Sequence, residues 1–103
     1  MAKALTVLAL LLVGCGGTPS SYELCNDSCD YARRCLSASS AMQDDCHVNC
    51  QSRKDSFDAQ DAQNQSNCKN YSTVQNLAAS CYGKDCSEAP GCLASIDTTC
   101  VPK

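Results

Sequence analysis

Cysteine is the residue type that most constrains what this chain can fold into. The sequence of 103 residues carries 11 cysteines, a density typical of disulfide scaffolds in short exported chains. The aliphatic residues beyond position 21 are few: Leu24, Leu36, Val48, Val74, Leu77, Leu93, Ile96 and Val101, with Phe57 as the sole Phe and no Trp. A domain with so little apolar surface needs covalent support. We therefore predict disulfide bonds and an oxidising compartment.

The N-terminal residues have the pattern of an export signal. Met1-Ala2-Lys3 precedes an apolar run that is too short to span a bilayer and that ends in Leu12-Val13-Gly14-Cys15. This ending resembles the lipobox of bacterial lipoproteins. The resemblance implies a signal peptide over residues 1–14 and a diacylglycerol on Cys15. The small, polar and Pro-containing residues that follow favour a flexible tether over residues 15–21, before a Cys-rich helical domain over residues 22–103. Gly16, where an inner-membrane retention signal would have Asp, favours the outer membrane.

The charge of the chain argues against some partners. The formal net charge is −3, and both nucleic acid and anionic lipid headgroups reward basic surfaces. We expect no nucleic-acid partner, and membrane contact through the lipid on Cys15 alone.

The spacing of apolar residues predicts helices. The capping-box sequence Ser20-Ser21-Tyr22-Glu23 precedes a stripe of Tyr22, Cys25, Cys29, Ala32 and Leu36, and Ser40-Ala41-Met42-Gln43 begins a second helix that ends past Arg53. The polar segment 55–67 is expected to be a frayed helix end or a mobile connection, the hinge between two halves. A third helix runs from Tyr71 to a stop at Gly83, and a fourth from Ser87-Glu88-Ala89-Pro90 through Ile96 and Cys100. Since no alternating strand pattern occurs, the predicted fold class is all-α, with about four helices in two antiparallel hairpins.

Two Cys-x3-Cys pairs constrain the first hairpin. Residues four apart share a helix face, and the short connection makes the helices antiparallel, so the predicted pairs are Cys25–Cys50 and Cys29–Cys46. For the second half, an antiparallel hairpin pairs Cys68 with Cys100 and Cys81 with Cys86, which leaves Cys35 to join Cys92. Irregular turns could exchange Cys86 and Cys92 between the last two pairs, and the spacing leaves this alternative open.

The twin Cys-x3-Cys pattern is similar to that of the small mitochondrial intermembrane-space chaperones, which staple a helical hairpin in this way. The lipobox contradicts their location, so the similarity implies the hairpin and not the activity. The whole chain more closely resembles the small Cys-rich helical lipoproteins of Gram-negative genomes of the myxobacterial type.

Candidate catalytic or metal-binding residues are few. His47, beside Cys46 and near Cys50, lacks the C-x-x-C-H pattern of haem attachment, and thiolates for zinc conflict with disulfides. No C-x-x-C redox motif occurs, and His47 is the only histidine for a hydrolytic site. The acidic pairs are interpreted as helix N-terminal charges and solvated faces: Asp44 with Asp45, Asp27 with Asp30, and Asp58 with Asp61. We expect no cofactor, no metal and no enzymatic activity.

Two functions remain from the sequence. One is a non-enzymatic lipoprotein of the cell envelope that binds a protein or glycan partner or has a structural role. The other is a miniature inhibitor of proteases or toxins, which needs a rigid binding loop. Segment 55–67 is the only candidate for that loop.

Overall fold

The computed structural model describes residues 17–103, so the predicted signal peptide and the predicted lipidation of Cys15 lie outside the described residues. Five helices follow in order: α1 (Ser21–Cys35), α2 (Ser40–Ser52), α3 (Lys54–Asn67), α4 (Tyr71–Tyr82) and α5 (Ala89–Ala94). In this part of the chain there is no strand beyond an isolated antiparallel bridge between Cys68 and Pro102. The all-α fold class is confirmed. No helix from residue 17 onward combines the length and the apolar character needed to cross a membrane.

The first hairpin forms as its sequence predicts. The Ser20 side chain accepts from the Glu23 backbone and Glu23 reaches back to Ser20, which is the predicted capping box. α1 and α2 lie antiparallel, joined by a turn in which Ser37 takes a left-handed conformation with a φ of 61°. The N-cap of α2 is Ser39, one residue before the predicted start at Ser40.

The predicted hinge over residues 55–67 is wrong, because these residues belong to α3. The segment contains no Gly or Pro, and its Ala and Gln residues favour helix even without an apolar stripe. Lys54 and Asp58 form an ion pair of 2.7 Å one turn apart, which supports the first turn. α3 also packs against α1, α2 and α4, so the chain passes from one half to the other through a helix.

The last predicted helix is shorter than expected. α5 begins at Ala89 with Pro90 in its first turn and ends at Ala94, so Ile96 and Cys100 lie beyond it. The chain after α5 runs back to the start of α4, where the Asn70 side chain donates to Thr99 O (2.8 Å) and accepts from Val101 N (2.9 Å). At the other end of α4, Gly83 is the C-cap, one position earlier than a C′ stop.

Sulfur takes the place of aliphatic side chains in the core. The largest fully buried side chains are Cys29, Cys50 and Cys81, while Leu36, Met42, Val48, Leu77 and Val101 are exposed. Cysteine packs as a small apolar residue, and each disulfide also holds two elements together. Packing and cross-linking are therefore carried by the same residues.

Candidate functional site

Five disulfides link the helices, and three match the predicted pairs. Cys25–Cys50 and Cys29–Cys46 join α1 to α2, and Cys68–Cys100 joins the turn between α3 and α4 to the C-terminal segment. The other two predicted pairs, Cys81–Cys86 and Cys35–Cys92, are wrong. The structure contains Cys35–Cys86 and Cys81–Cys92, with Cα separations of 5.3 and 5.5 Å.

The position of α5 explains this exchange. α5 folds back on α4 and brings Cys92 to the buried Cys81, whereas Cys86 lies in the exposed loop before α5 and meets Cys35 at the end of α1. The predicted pairs require a last helix that continues through Cys100 and lies antiparallel to α4 along its whole length. The observed helix ends at Ala94. Within residues 17–103, Cys35–Cys86 is the one disulfide that joins the first hairpin to the elements after α3.

The sulfur cluster of the first hairpin does not have the chemistry of a metal site. The sulfurs of Cys29, Cys46 and Cys50 lie within 4.8 Å of one another, and the Cys29 and Cys50 sulfurs are 3.6 Å apart. All three are half-cystines, so none carries an S–H or the thiolate charge that a metal requires. The short separation is a packing contact between two neighbouring disulfides.

His47 connects α2 to α1 through both of its ring nitrogens. Nδ1 lies 2.5 Å from Asn26 Oδ1, and Nε2 lies 2.8 Å from Asp30 Oδ1. The amide of Asn26 donates to Tyr22 O at 3.2 Å, which directs its oxygen towards the imidazole. The hydrogen bond from Gln43, followed by that from His47, holds the pKa of Asp30 below its ordinary value. This geometry gives His47 a bridging contact between the two helices.

A buried polar junction holds the N-terminal segment against the helices. Asp61, which is 8% exposed, accepts from Ser21 N (2.8 Å) and from Ser21 Oγ (2.5 Å). Gln75 of α4 donates to Pro19 O at 3.1 Å, and Thr18 Oγ1 lies 2.9 Å from Ser72 Oγ. We call this set the N-terminal junction. The predicted flexible tether is therefore held in place from Thr18 onward.

Asp61 corrects the prediction of a solvated acidic pair. Asp58 is exposed and pairs with Lys54, but the Asp61 carboxylate is buried at the N-terminus of α1. The carboxylate satisfies a free first-turn N–H and opposes the positive end of the α1 dipole. It caps a helix that begins 40 residues earlier in the chain, a distance that local sequence patterns do not cover.

A groove lies between α1 and α4, and we call it the acidic–aromatic groove. It has a volume of about 190 Å³ and is lined by Asp27, Asp30, Tyr31, Arg34, Ala79, Tyr82 and Gly83. The Tyr31 and Tyr82 rings are 5.7 Å apart between centroids and inclined by 55°. Arg34 of α1 donates to Tyr82 O (2.7 Å) and Lys84 O (3.1 Å).

Burial and neighbouring negative charges raise the pKa values of two groups in the groove. Burial, then the negative charges of Asp30 and Glu23, raise the pKa of Asp27. Burial, then the charge of Asp27, raise the pKa of Tyr82. Tyr31 and Tyr82 are not among the site residues that the sequence predicts. The available signal was the spacing of Asp27, Tyr31 and Arg34, which places them on one face of a helix.

Comparisons of the chain with protein-family profiles, with curated proteins and with solved structures found no match. The structure itself defines the class: a small all-α domain with a disulfide core and a groove between two of its helices.

Proposed function

We propose that this protein is a lipid-anchored, non-enzymatic lipoprotein of the cell envelope, in which a disulfide-stabilised helical domain acts as a binding or structural module. The observation that carries the proposal is the core itself, whose largest fully buried side chains are all half-cystines. Such a fold depends on a compartment that oxidises thiols, as the envelope does and the cytosol does not. The lipobox ending in Cys15 supplies the route of export and the anchor.

The N-terminal junction supports anchorage close to the bilayer. Cys15 precedes Gly17 by two residues, which extend over at most about 7 Å. Thr18 and Pro19 are hydrogen-bonded to Ser72 and Gln75, in the N-terminal half of α4. A lipid on Cys15 would therefore hold the domain with the N-terminal end of α4 towards the membrane. The outer membrane is the proposed location, on the basis of Gly16.

The alternative of a miniature inhibitor has lost its supporting feature. The segment that was the candidate for a rigid inhibitory loop is the helix α3. The groove between α1 and α4 favours a module that binds a partner through a helical surface.

Mass spectrometry of the protein purified from its native envelope tests the anchor. We expect a mature N-terminus at Cys15 with an acyl mass increment, partition into detergent, and a Cys15→Ser variant that stays unprocessed and without lipid. The matched control is Gly17→Ser, because among the described residues, chain neighbours apart, no atom lies within 4 Å of the position of an added Cβ at Gly17. An intact N-terminus at Met1, or a mature mass without acyl groups, would contradict the proposal, and fractionation of the membranes tests the outer-membrane location.

A further inference from the structure

The acidic–aromatic groove contains polar groups that have no partner among the described residues. Among residues 17–103, the Asp27 carboxylate and the Tyr31 and Tyr82 hydroxyls make no side-chain hydrogen bond or ion pair. Tyr31 is the most informative of these, because its residue is only 8% exposed. Every fully buried side-chain polar atom in the described part of the chain has a partner, so the Tyr31 hydroxyl must reach solvent. Tyr31 lines the groove, which is therefore the surface at which a ligand could meet its hydroxyl.

The charges of the groove select the class of ligand. Asp27 is half-buried and has no counter-ion in the part of the chain that the structure describes, and the neighbouring Asp30 and Glu23 disfavour its ionised form. Arg34 is the cation at the groove, but its guanidinium is engaged by the carbonyls of Tyr82 and Lys84. A second cation would relieve the charge on Asp27 and could donate to the free hydroxyls. An anion would be repelled by the carboxylates of Asp27 and Asp30, which both line the groove.

The walls of the groove also suit a cation. Arg34 already lies 5.9 Å from the centroid of the Tyr31 ring, within the range of a cation–π contact. The volume of about 190 Å³ is smaller than the usual range for small-molecule sites and suits a single long side chain.

We propose that the acidic–aromatic groove binds one basic side chain, lysine or arginine, of a partner polypeptide. Asp27 acts as its counter-ion, the Tyr31 and Tyr82 hydroxyls accept hydrogen bonds, and its aliphatic stem lies against the paired Tyr31 and Tyr82 rings. The inference rests on the proposed binding role of the module and does not depend on the lipid.

An NMR titration of the oxidised mature protein tests the site, with n-butylammonium and n-butylguanidinium as probes of a basic side chain. We expect saturable shifts of the amides of Asp27, Tyr31, Tyr82 and Gly83 that weaken as salt is added. Butyrate, a four-carbon ion with the opposite charge, should leave these amides unshifted. Absence of saturable shifts with both cations, or equal shifts with butyrate, would overturn the inference.

Variants separate the roles of charge and hydroxyl. Asp27→Asn should weaken binding about ten-fold, the loss of a charge-assisted contact. Tyr31→Phe keeps the ring and removes only a hydroxyl that has no hydrogen-bond partner among the described residues. It should leave the free energy of unfolding unchanged and weaken binding by a smaller factor than Asp27→Asn does. Asp44→Asn removes an exposed carboxylate on α2, outside the groove, and is the matched control, with unchanged affinity expected. Unchanged affinity in Asp27→Asn would refute the assignment.

The result of the cation-binding test does not depend on whether the protein is lipidated. A mature mass without lipid together with intact cation binding would refute the proposed anchorage and leave the groove assigned. A lipidated protein that binds neither cation would refute the groove and leave the anchorage standing.

Discussion

Replacement of Asp61 by alanine should weaken the fold more than any other substitution of an acidic residue on α3. The Asp61 carboxylate accepts two hydrogen bonds from Ser21, at 2.8 and 2.5 Å, and is the buried link from α3 to the first turn of α1. A hydrogen bond to a charged group contributes about 1.5–3 kcal/mol. Since both hydrogen bonds are donated by the half-buried Ser21, their contributions are not fully additive. We expect a loss of about 2–4 kcal/mol in the free energy of unfolding.

Asp61→Asn and Asp58→Ala define the cause of that loss. Asp61→Asn keeps an oxygen for Ser21 N but removes the charge that opposes the α1 dipole, so its cost should lie near 1–2 kcal/mol, or roughly half that of alanine. Asp58→Ala removes an exposed ion pair with Lys54 on the same helix, and such pairs contribute about 0–1 kcal/mol.

Equilibrium unfolding of the oxidised proteins in guanidinium chloride, followed by far-ultraviolet circular dichroism, measures these differences. Hydrogen exchange of the Ser21 amide provides a local readout, and it should quicken in Asp61→Ala but not in Asp58→Ala. Equal losses for Asp61→Ala and Asp58→Ala would refute the role of Asp61 as the cap of α1. Equal losses for Asp61→Ala and Asp61→Asn would show that the charge accounts for the whole effect, and an Asp61→Asn variant as stable as the parent would show that charge contributes nothing.

Three further predictions concern Asp27 and the disulfides. Because burial raises the pKa of Asp27, the folded state binds this proton more tightly than the unfolded state, and stability from this group rises as pH falls through the folded pKa. Asp27→Asn should therefore be more stable than the parent at neutral pH, with the difference vanishing in acid, as pH-dependent unfolding would reveal; a less stable variant at neutral pH would contradict this. Peptide mapping of the oxidised protein should link Cys35 to Cys86, and recovery of Cys81 linked to Cys86 would contradict the structure. Replacing Cys35 and Cys86 by Ala opens a loop with a separation of 51 residues and should cost about 4 kcal/mol, whereas full reduction should abolish most of the helical dichroism; a fully helical reduced chain would show that apolar packing alone suffices.

Sequence alone could predict the elements that depend on local spacing. The capping box at Ser20, the cysteine stripe of α1 and the short turn before α2 leave one antiparallel register, and that register fixes Cys25–Cys50 and Cys29–Cys46. The helical periodicity of α4 and its end at Gly83 also follow from neighbouring residues. The all-α class required no more than this.

The tertiary structure decided the rest, because those features join residues that are distant in the chain. α3 has no apolar stripe for a periodicity to detect, and the burial of Asp61 depends on a helix terminus 40 residues away. The exchange of Cys86 and Cys92 depends on where α5 ends and how it packs on α4. The groove exists only because Tyr31 of α1 and Tyr82 of α4 are brought together, which no local pattern in either helix specifies.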